Sequence, residues 1–145
     1  MPQIRPADIK EMVTFKYVKG KQDIYPGVFH SCYEVYFLLN GNVEFVCSNL
    51  RKKLRPLDIV IIPPGEFHRF ILCDNGENYE RCVLRISPQL LSEEVLRDAF
   101  LNKRILRPDK NDRIIQHLNY LKEVEETCSK EDFKAISHAI ATDIV

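Results

Sequence analysis

Two histidines and one glutamate are the residues of this chain whose types and spacing could do chemistry. They are His30, Glu34 and His68, and their neighbours in the sequence are strongly apolar. Two imidazoles and a carboxylate form a ligand set that suits iron(II), and the same side chains can hydrogen-bond to hydroxyls or an amine. The plainer alternative is that each is a core or rim polar group satisfied by the backbone. The three residues alone leave these alternatives open.

The spacing of these residues sets a condition on any shared site. In a straight strand, His30 and Glu34 would stand roughly 13 Å apart, so they could reach one ligand only if the chain turns or bulges between them. His68 follows the break Pro63-Pro64-Gly65, where proline lacks a donor and glycine permits positive φ. The direction of His68 is therefore fixed by that break and not by simple strand alternation.

The surrounding sequence predicts short β-strands, because apolar runs are separated by turn residues roughly every 5 to 12 positions. About six to eight such strands indicate an antiparallel sandwich or barrel. Antiparallel barrels commonly hold one small ligand, which favours a binding role for the three polar residues. The predicted strands are Thr14–Val18, a run that ends at Asn40, Val43–Cys47, Asp58–Ile62, Phe67–Cys73 and Tyr79–Ile86.

Two segments between these strands carry turn or charge signals. Asn40-Gly41 predicts a type I′ hairpin with Val43–Cys47 as the partner strand. The run Arg51–Arg55 (RKKLR) is predicted to span a hairpin turn as a solvated loop. A nucleic-acid contact is the weaker interpretation of that run, because no aromatic residue lies within it and the chain as a whole is neutral.

After Ile86 the apolar period changes from 2 to 3.6, which predicts helices packed on one side of the strands and an α+β fold class. Ser87-Pro88 predicts one helix start, and Asp109 and Ser129 can cap two further helices. One helix usually buries a single stripe, so a wider apolar face predicts a contact with a symmetry mate besides packing within the domain. The residues of that face are Ile114, Ile115, Leu118, Leu121 and Val124.

Composition excludes several classes of protein. The chain has 145 residues, of which 45% are hydrophobic and 29% charged, and its 21 basic and 21 acidic residues balance. These values describe one ordinary domain, and the neutral charge disfavours direct binding to DNA or to an anionic membrane. No apolar run approaches the ~20 residues of a membrane span, and the N-terminus lacks a signal peptide, so a cytoplasmic location is predicted.

Other residues with reactive or charged side chains give weaker signals. The five cysteines are scattered without a CxxC pair, which predicts reduced thiols and not disulfides or a zinc knuckle. Nucleophilic catalysis and phosphate binding receive little support, because neither a GxSxG elbow nor a glycine-rich loop is present. Arg81 and Arg85 are predicted on a solvated or ion-paired face, although a buried arginine would make a good anion clamp.

Longer motifs in the strand region carry a family resemblance. His30, Glu34, Gly41 and the segment PPGEFH resemble the two motifs of the cupin superfamily. Within the cupins, three segments resemble the N-terminal sensor domain of AraC-type transcriptional regulators. They are YEVYFLLNGNVEF, LRPLDIVIIPPGEFHR and YERCVLRISPQLL. The resemblance covers residues 25–91 closely, and the helices up to residue 145 resemble that family's linker and dimerisation helices more loosely.

The resemblance assigns roles to individual residues. The cupin metal ligands would fall at Val28, His30, Glu34 and His68, and valine cannot ligate a metal. Leu57 also stands in place of the usual glycine of the second motif. The resemblance therefore implies neither a metal nor another cofactor, and makes the interior groups contacts to a small molecule. The candidate ligand-binding residues are His30, Glu34, Tyr36, His68 and Phe70, with Tyr33 as a weaker candidate.

The resemblance also implies an architecture and a mechanism. Residues 1–90 would form a jelly-roll barrel or sandwich with an N-terminal arm, and residues 91–145 a dimerisation and linker segment of two to three helices. The last predicted helix reaches Val145 without a C-cap, so a DNA-binding helix-turn-helix domain is expected outside this chain. A sugar-like effector would control that domain in a homodimer that is not an enzyme. The alternative is a small metal-dependent cupin enzyme that uses His30, Glu34 and His68.

Overall fold

The computed structural model describes residues 13–21, 32–48, 50–88, 105–108, 112–133 and 135–136. These residues form eight strands and the helix α1, which spans Arg113–Glu125; residues 130–133 and 135–136 are also helical. The strands are β1 (Val13–Lys19), β2 (Tyr33–Asn40), β3 (Val43–Cys47), β4 (Leu50–Lys53), β5 (Ile59–Ile62), β6 (His68–Leu72), β7 (Glu80–Ile86) and β8 (Ile105–Leu106).

The strands make two antiparallel sheets. A five-stranded sheet has the order β1-β7-β2-β5-β8, and a three-stranded sheet has the order β4-β3-β6. Within the described parts of the chain, every strand pairing is antiparallel and none joins one sheet to the other. The fold is therefore a β-sandwich with C-terminal helices, which confirms the predicted α+β class. Of the two predicted forms, sandwich and closed barrel, the sheets take the first.

Strand alternation gives the five-stranded sheet two buried faces. One face packs on the three-stranded sheet through a core that includes Tyr36, Phe45 and Val60. The other face packs on α1 through a core that includes Phe37 and Leu84. We call these two regions the inter-sheet core and the helix-side core. Adjacent residues of one strand, such as Tyr36 and Phe37, thus belong to different layers of the molecule.

The helix α1 is fixed by an aspartate cap and by an apolar stripe that faces the five-stranded sheet. Asp112 has extended backbone angles, and its Oδ1 accepts a hydrogen bond from the Ile114 amide at 2.9 Å. The predicted cap, Asp109, lies outside the described residues, and the helix begins after Asp112 instead. The helix predicted after Ser87-Pro88 falls on residues 89–104, which are also outside the described part. The buried stripe of α1 consists of Ile115, Leu118 and Leu121.

The predicted hairpin at Asn40-Gly41 is wrong, because β2 and β3 belong to different sheets. β2 already pairs with β5 along one edge and with β7 along the other, so no edge is left for β3. The turn carries the chain from one sheet to the other instead. Glycine is required there: Gly41 has φ +132°, and a Cβ at this position would lie 3.1 Å from Cδ1 of Tyr79.

The basic run Arg51–Arg55 is not the predicted turn, because its first half belongs to a strand. Leu50–Lys53 forms β4, which pairs with β3 at the edge of the three-stranded sheet, and Glu44 lies opposite Lys53. Glu44 also accepts a hydrogen bond from Nε of Arg51. The carboxylate of Glu44 therefore offsets the positive charge of this segment and stabilises it as a strand. The sequence alone does not reveal this cross-strand contact.

The part of the chain predicted as helical also contributes a strand. Ile105–Leu106 forms β8, in which Ile105 lies opposite Val60 and Leu106 opposite Ile59. A neighbouring ion pair joins Arg107 Nε to Asp58 Oδ1 at 3.4 Å. The C-terminal part of the chain thus contributes the last strand of the five-stranded sheet. The predicted division into a β-barrel unit (residues 1–90) and a helical segment (residues 91–145) stays a prediction.

The turn before β5 holds a leucine in a conformation that favours glycine. Leu57 has φ +75°, and its amide donates to the carbonyl of Leu38 at 2.7 Å. Asp58 closes the turn, because its Oδ2 accepts a hydrogen bond from the Arg55 amide at 2.8 Å. The left-handed region costs a residue with a Cβ roughly 1 to 2 kcal/mol. Leu57 therefore keeps the backbone geometry of the glycine that the cupin resemblance expects here.

Two substitutions at this position separate backbone strain from side-chain contacts. Leu57→Ala and Leu57→Gly both remove the packing of Leu57 on the helix-side core, but only glycine relieves the strain. We expect the glycine variant to be more stable than the alanine variant by about 1 kcal/mol in urea denaturation. An alanine variant as stable as the glycine variant would contradict the strain argument.

All five cysteines lie within the described residues, and none of them forms a disulfide. Cys47 and Cys82 are buried, and burial raises the pKa of the Cys82 thiol to about 12. Among the helices that the structure describes, none combines the length and the apolar character needed to cross a membrane.

Candidate functional site

The inner faces of the two sheets carry polar side chains from three strands. Glu34 and Tyr36 share one face of β2, and Tyr36 belongs to the inter-sheet core. On the neighbouring strand β7, Arg85 lies directly opposite Glu34, and Arg81 follows on the same face. From the other sheet, β6 contributes His68, which is buried. The sandwich thus brings together groups that are far apart in the sequence.

Glu34 and His68 form a buried ionic contact. Glu34 is 4% exposed and His68 is 2% exposed. His68 Nε2 lies 2.9 Å from Glu34 Oε2, and His68 Nδ1 lies 3.1 Å from the backbone oxygen of Glu66. Both ring nitrogens face oxygen atoms, and only the doubly protonated imidazolium can donate on both sides. This geometry favours the imidazolium form of His68 beside the Glu34 carboxylate.

The surroundings of His68 raise its pKa above the ordinary value of histidine. Burial has the largest single effect and lowers the pKa, because it disfavours the charged ring. The Glu34 carboxylate and the backbone oxygen of Glu66 act in the opposite direction and together outweigh burial. The charged form of His68 is thus favoured by its two partners.

We expect the domain to lose stability as the pH rises from 6 to 8. Because the folded pKa of His68 is raised, its contribution is full below the unfolded value of about 6.5 and is lost as the pH passes the folded value. Urea denaturation across this range measures the loss. In His68→Gln the slope should be smaller than in the unchanged protein; an unchanged slope would assign the effect to other groups.

Arg85 extends the buried pair to the surface. Its Nε lies 3.4 Å from Glu34 Oε1, so each carboxylate oxygen of Glu34 faces a cation. The side chain of Arg85 is 42% exposed, whereas that of Glu34 is 5% exposed. We call His68, Glu34 and Arg85 the charged triad. It runs from the core to solvent and contains two cations and one anion.

A second polar group surrounds the hydroxyl of Tyr36. The Tyr36 and Tyr79 hydroxyls are hydrogen-bonded to each other, and burial raises the pKa of both phenols. The Tyr36 ring stacks on Phe70 with ring centres 3.7 Å apart. Arg81 is 4% exposed, donates from Nη1 to the carbonyl of Gly20 at 2.9 Å, and lies 4.1 Å from the centre of the Tyr79 ring. We call Tyr36, Tyr79 and Arg81 the tyrosine–arginine cluster.

The sequence matches a known family over most of its length. Residues 14–135 match the AraC-like ligand binding domain. The chain belongs to this family. The match confirms the resemblance predicted from the motifs. No curated protein matches the chain significantly in sequence.

Solved structures with a similar fold include longer proteins. The AraC-like transcriptional activator CuxR superposes with a TM-score of 0.58 at 14% identity, over 77% of this chain and 40% of CuxR. ToxT K231A from Vibrio cholerae strain SCE256 superposes with a TM-score of 0.53 at 16% identity, over 92% of this chain and 55% of ToxT. At such identities the likeness concerns the fold alone. This AraC-like domain therefore spans only part of the length of both proteins.

A cupin superfamily protein from Desulfitobacterium hafniense DCB-2 also matches, with a TM-score of 0.43 at 14% identity. That match covers 53% of this chain and 69% of the other.

The structure brings four of the five predicted ligand-binding residues of this AraC-like domain together. Glu34 contacts His68, the His68 and Phe70 rings meet edge to face with centres 5.9 Å apart, and Phe70 stacks on Tyr36. His30, and with it Val28, lies outside the described residues. The weaker candidate Tyr33 packs against the helix-side core and so lies on the other face of β2.

Three residues of the inner faces, Tyr79, Arg81 and Arg85, were not among the predicted ligand-binding residues. For the two arginines, the sequence favoured a solvated or ion-paired face and kept a buried anion clamp as the alternative. A signal was present in β7, where Cys82, Leu84 and Ile86 alternate with the other positions and are buried in the helix-side core. Since alternate residues point to opposite faces, both arginines had to face the other sheet. The prediction of an ion-paired face fits Arg85, but Arg81 is buried and not solvated.

The residues predicted for dimerisation are mostly used within the chain. Ile115, Leu118 and Leu121 are 1% exposed or less and pack on the five-stranded sheet. Ile114 is half-buried against the same core, and Val124 is half-buried at the end of α1. The three buried side chains are therefore unavailable to a partner in this arrangement, and the homodimer stays a prediction that needs another surface.

The described residues do not assemble a metal site. Within the parts of the chain that the structure describes, no three His, Cys, Asp or Glu side chains are grouped so as to hold a metal ion. Either ring nitrogen of a histidine can ligate a metal, but Nε2 of His68 faces Glu34 and its Nδ1 faces the backbone oxygen of Glu66. The alternative of a metal-dependent enzyme on His30, Glu34 and His68 thus gains no support from this geometry.

Proposed function

We propose that this domain senses a small polar molecule that binds between the two sheets, and that it controls a DNA-binding domain outside this chain. The observation that carries the proposal is the pairing of the charged triad with the tyrosine–arginine cluster on the inner faces. A sandwich that only had to be stable would fill this space with apolar side chains, because buried ion pairs contribute little net stability. Converging polar groups among aromatic walls are typical of a binding site.

The chemistry of the inner faces favours a polar ligand with a flat or ring-shaped apolar part. The Tyr36 and Tyr79 hydroxyls can donate to or accept from ligand hydroxyls. The stacked rings of Tyr36 and Phe70 offer apolar surface beside these hydroxyls. A sugar-like molecule fits this combination, and it remains our first candidate class.

Strand β2 contacts both the proposed ligand site and the core beneath α1, so it can couple ligand binding to the position of that helix. On β2, Glu34 and Tyr36 face the proposed ligand, while Val35 and Phe37 pack in the helix-side core with Leu118 of α1. A ligand that shifts β2 by differential contacts would therefore also shift the surface on which α1 rests. We propose that this coupling, in a homodimer, repositions the DNA-binding domains.

Thermal-shift screening with neutral sugars, sugar acids and amino acids tests the proposal. A ligand present at a hundred times its Kd should stabilise the domain by ~2.7 kcal/mol. In Tyr79→Phe, which removes one hydroxyl of the cluster, the shift should shrink, whereas the exposed Tyr120→Phe on α1 should leave it unchanged. Silence across the panel, or equal shifts in both variants, would overturn the proposal.

A further inference from the structure

The inner faces carry more positive than negative charge. Among the described residues that are buried or half-buried there, His68, Arg81 and Arg85 are the basic side chains, and Glu34 is the carboxylate in contact with His68 and Arg85. The half-buried Glu66 is a second carboxylate whose charge acts on His68, which leaves three basic side chains against two acidic ones. The other buried carboxylate, Asp58, lies in the turn before β5 and is paired with Arg107. Charges in a poorly solvated space act strongly on one another and on anything that enters it. An anionic group is therefore favoured there over a neutral or cationic one.

Arg85 is the cation of this set that both faces the interior and reaches solvent. Only its Nε contacts Glu34, and its four Nη hydrogens have no partner among the described residues. The two Nη groups form a planar fork that matches the two oxygens of a carboxylate or phosphate. With 42% of its side chain exposed, Arg85 can be reached by a molecule that enters between the sheets.

Glu34 takes a different role from the one that its residue type suggests. Each of its oxygens already faces a cation, Oε1 toward Arg85 and Oε2 toward His68. Glu34 therefore holds the Nε side of the guanidinium and leaves the Nη side directed away from it. It acts as a positioning residue for Arg85 and not as the first acceptor for a ligand hydroxyl.

We infer that the effector of this domain carries an oxyanion, a carboxylate or a phosphate, which is bound by the Nη groups of Arg85. This inference rests on the proposed function, because it names the chemical class of the molecule that binds between the sheets. The apolar part of the same molecule then lies toward Tyr36 and Phe70, whose rings stack further inside the sandwich. A sugar acid or a sugar phosphate satisfies both ends, whereas a neutral sugar leaves the Arg85 fork without a partner.

Matched pairs of probes test the inference in a low-chloride buffer, with calorimetric titration as the readout. The pairs are galacturonate with galactose, glucuronate with glucose, and glucose 6-phosphate with glucose. In at least one pair we expect the anionic member to bind about tenfold more tightly or better, as a charge-assisted fork contact implies. The carboxylate and the phosphate pairs distinguish the two oxyanions.

Variants at two arginines assign the effect to one side chain. Arg85→Gln should remove the preference for the anionic member, and Arg85→Lys should keep part of it because the charge remains without the fork. The matched control is Arg69→Gln, which changes an exposed arginine on β6 and should leave the preference intact. Because Arg85 is partly exposed, the variant is expected to fold, and an unchanged melting temperature without ligand checks this.

The outcomes separate this inference from the proposed function. If every neutral sugar binds as tightly as its anionic partner, or if Arg85→Gln leaves anion binding unchanged, the inference is overturned and a sensor of polar molecules remains. If no probe of either kind binds at about 10 mM, every dissociation constant lies above that concentration, and both ideas are overturned.

Discussion

Replacing Glu34 by leucine should lower the free energy of unfolding by about 3 to 5 kcal/mol at pH 6, the loss expected when one partner of a buried ion pair is removed. The leucine leaves the imidazolium of His68 in the core without its carboxylate. Arg85 also loses its partner, but its exposed end can be solvated. Urea denaturation at pH 6 and at pH 8 measures the effect, and the loss should be smaller at pH 8, where His68 can release its proton.

The control for this prediction is a double-mutant cycle. Glu34→Leu combined with His68→Leu removes both charges, and the double variant should be more stable than Glu34→Leu alone, because two apolar side chains can share the space. If the double variant is less stable than the single one by the full cost of a further core substitution, the two residues do not act as a pair. That result would contradict the charged-pair description of the site.

A second large effect is expected in α1. Leu118→Ala should cost about 2 to 5 kcal/mol, because Leu118 is fully buried between the helix and the five-stranded sheet and alanine leaves a cavity. Tyr120→Ala is the matched control, since Tyr120 lies on the same helix but is 48% exposed. Its effect should stay within about 0.5 kcal/mol, as for most surface substitutions. Both values come from urea denaturation at one protein concentration.

The same pair of variants bears on the predicted homodimer. If Leu118 belongs to the core of one chain, Leu118→Ala destabilises the protein at every concentration, and sedimentation of the folded protein shows an unchanged mass. A loss of mass without a loss of stability would place Leu118 at an interface instead. If Tyr120→Ala changes the sedimented mass, the exposed side of α1 becomes the candidate surface for the dimer.

The fold class followed from local patterns, but the partners of individual strands did not. Apolar runs bounded by turn residues predicted β2, β3, β5, β6 and β7 closely, because Gly, Pro, Asn and Asp mark the ends of short strands. The turn signal at Asn40-Gly41 fixed a reversal but not which sheet the next strand joins. β8 has only two residues, which is too short for any period to be seen. Strand pairing depends on contacts across the sandwich that no single segment contains.

The candidate site was predicted in part for the same reason. Polar or aromatic residues within apolar runs mark inward positions, and this pattern made it possible to predict Glu34, Tyr36, His68 and Phe70. Arg81 and Arg85 were assigned by residue type to a solvated or ion-paired face, since most arginines stay exposed. Their real positions depend on the strands opposite: Leu38 and Glu34 of β2 lie across from them. A charged residue can be placed only after its neighbours are known.

The short strand β8 has a consequence for the behaviour of any shortened form of this chain. β5 consists of four buried apolar residues, Ile59–Ile62, and β8 covers the first two of them along its outer edge. A chain that ended before Ile105 would leave this edge open, with high β-propensity and no charge of its own. Pro63-Pro64 would still limit its extension at one end. Such a form should aggregate in solution even though most of the sandwich is retained.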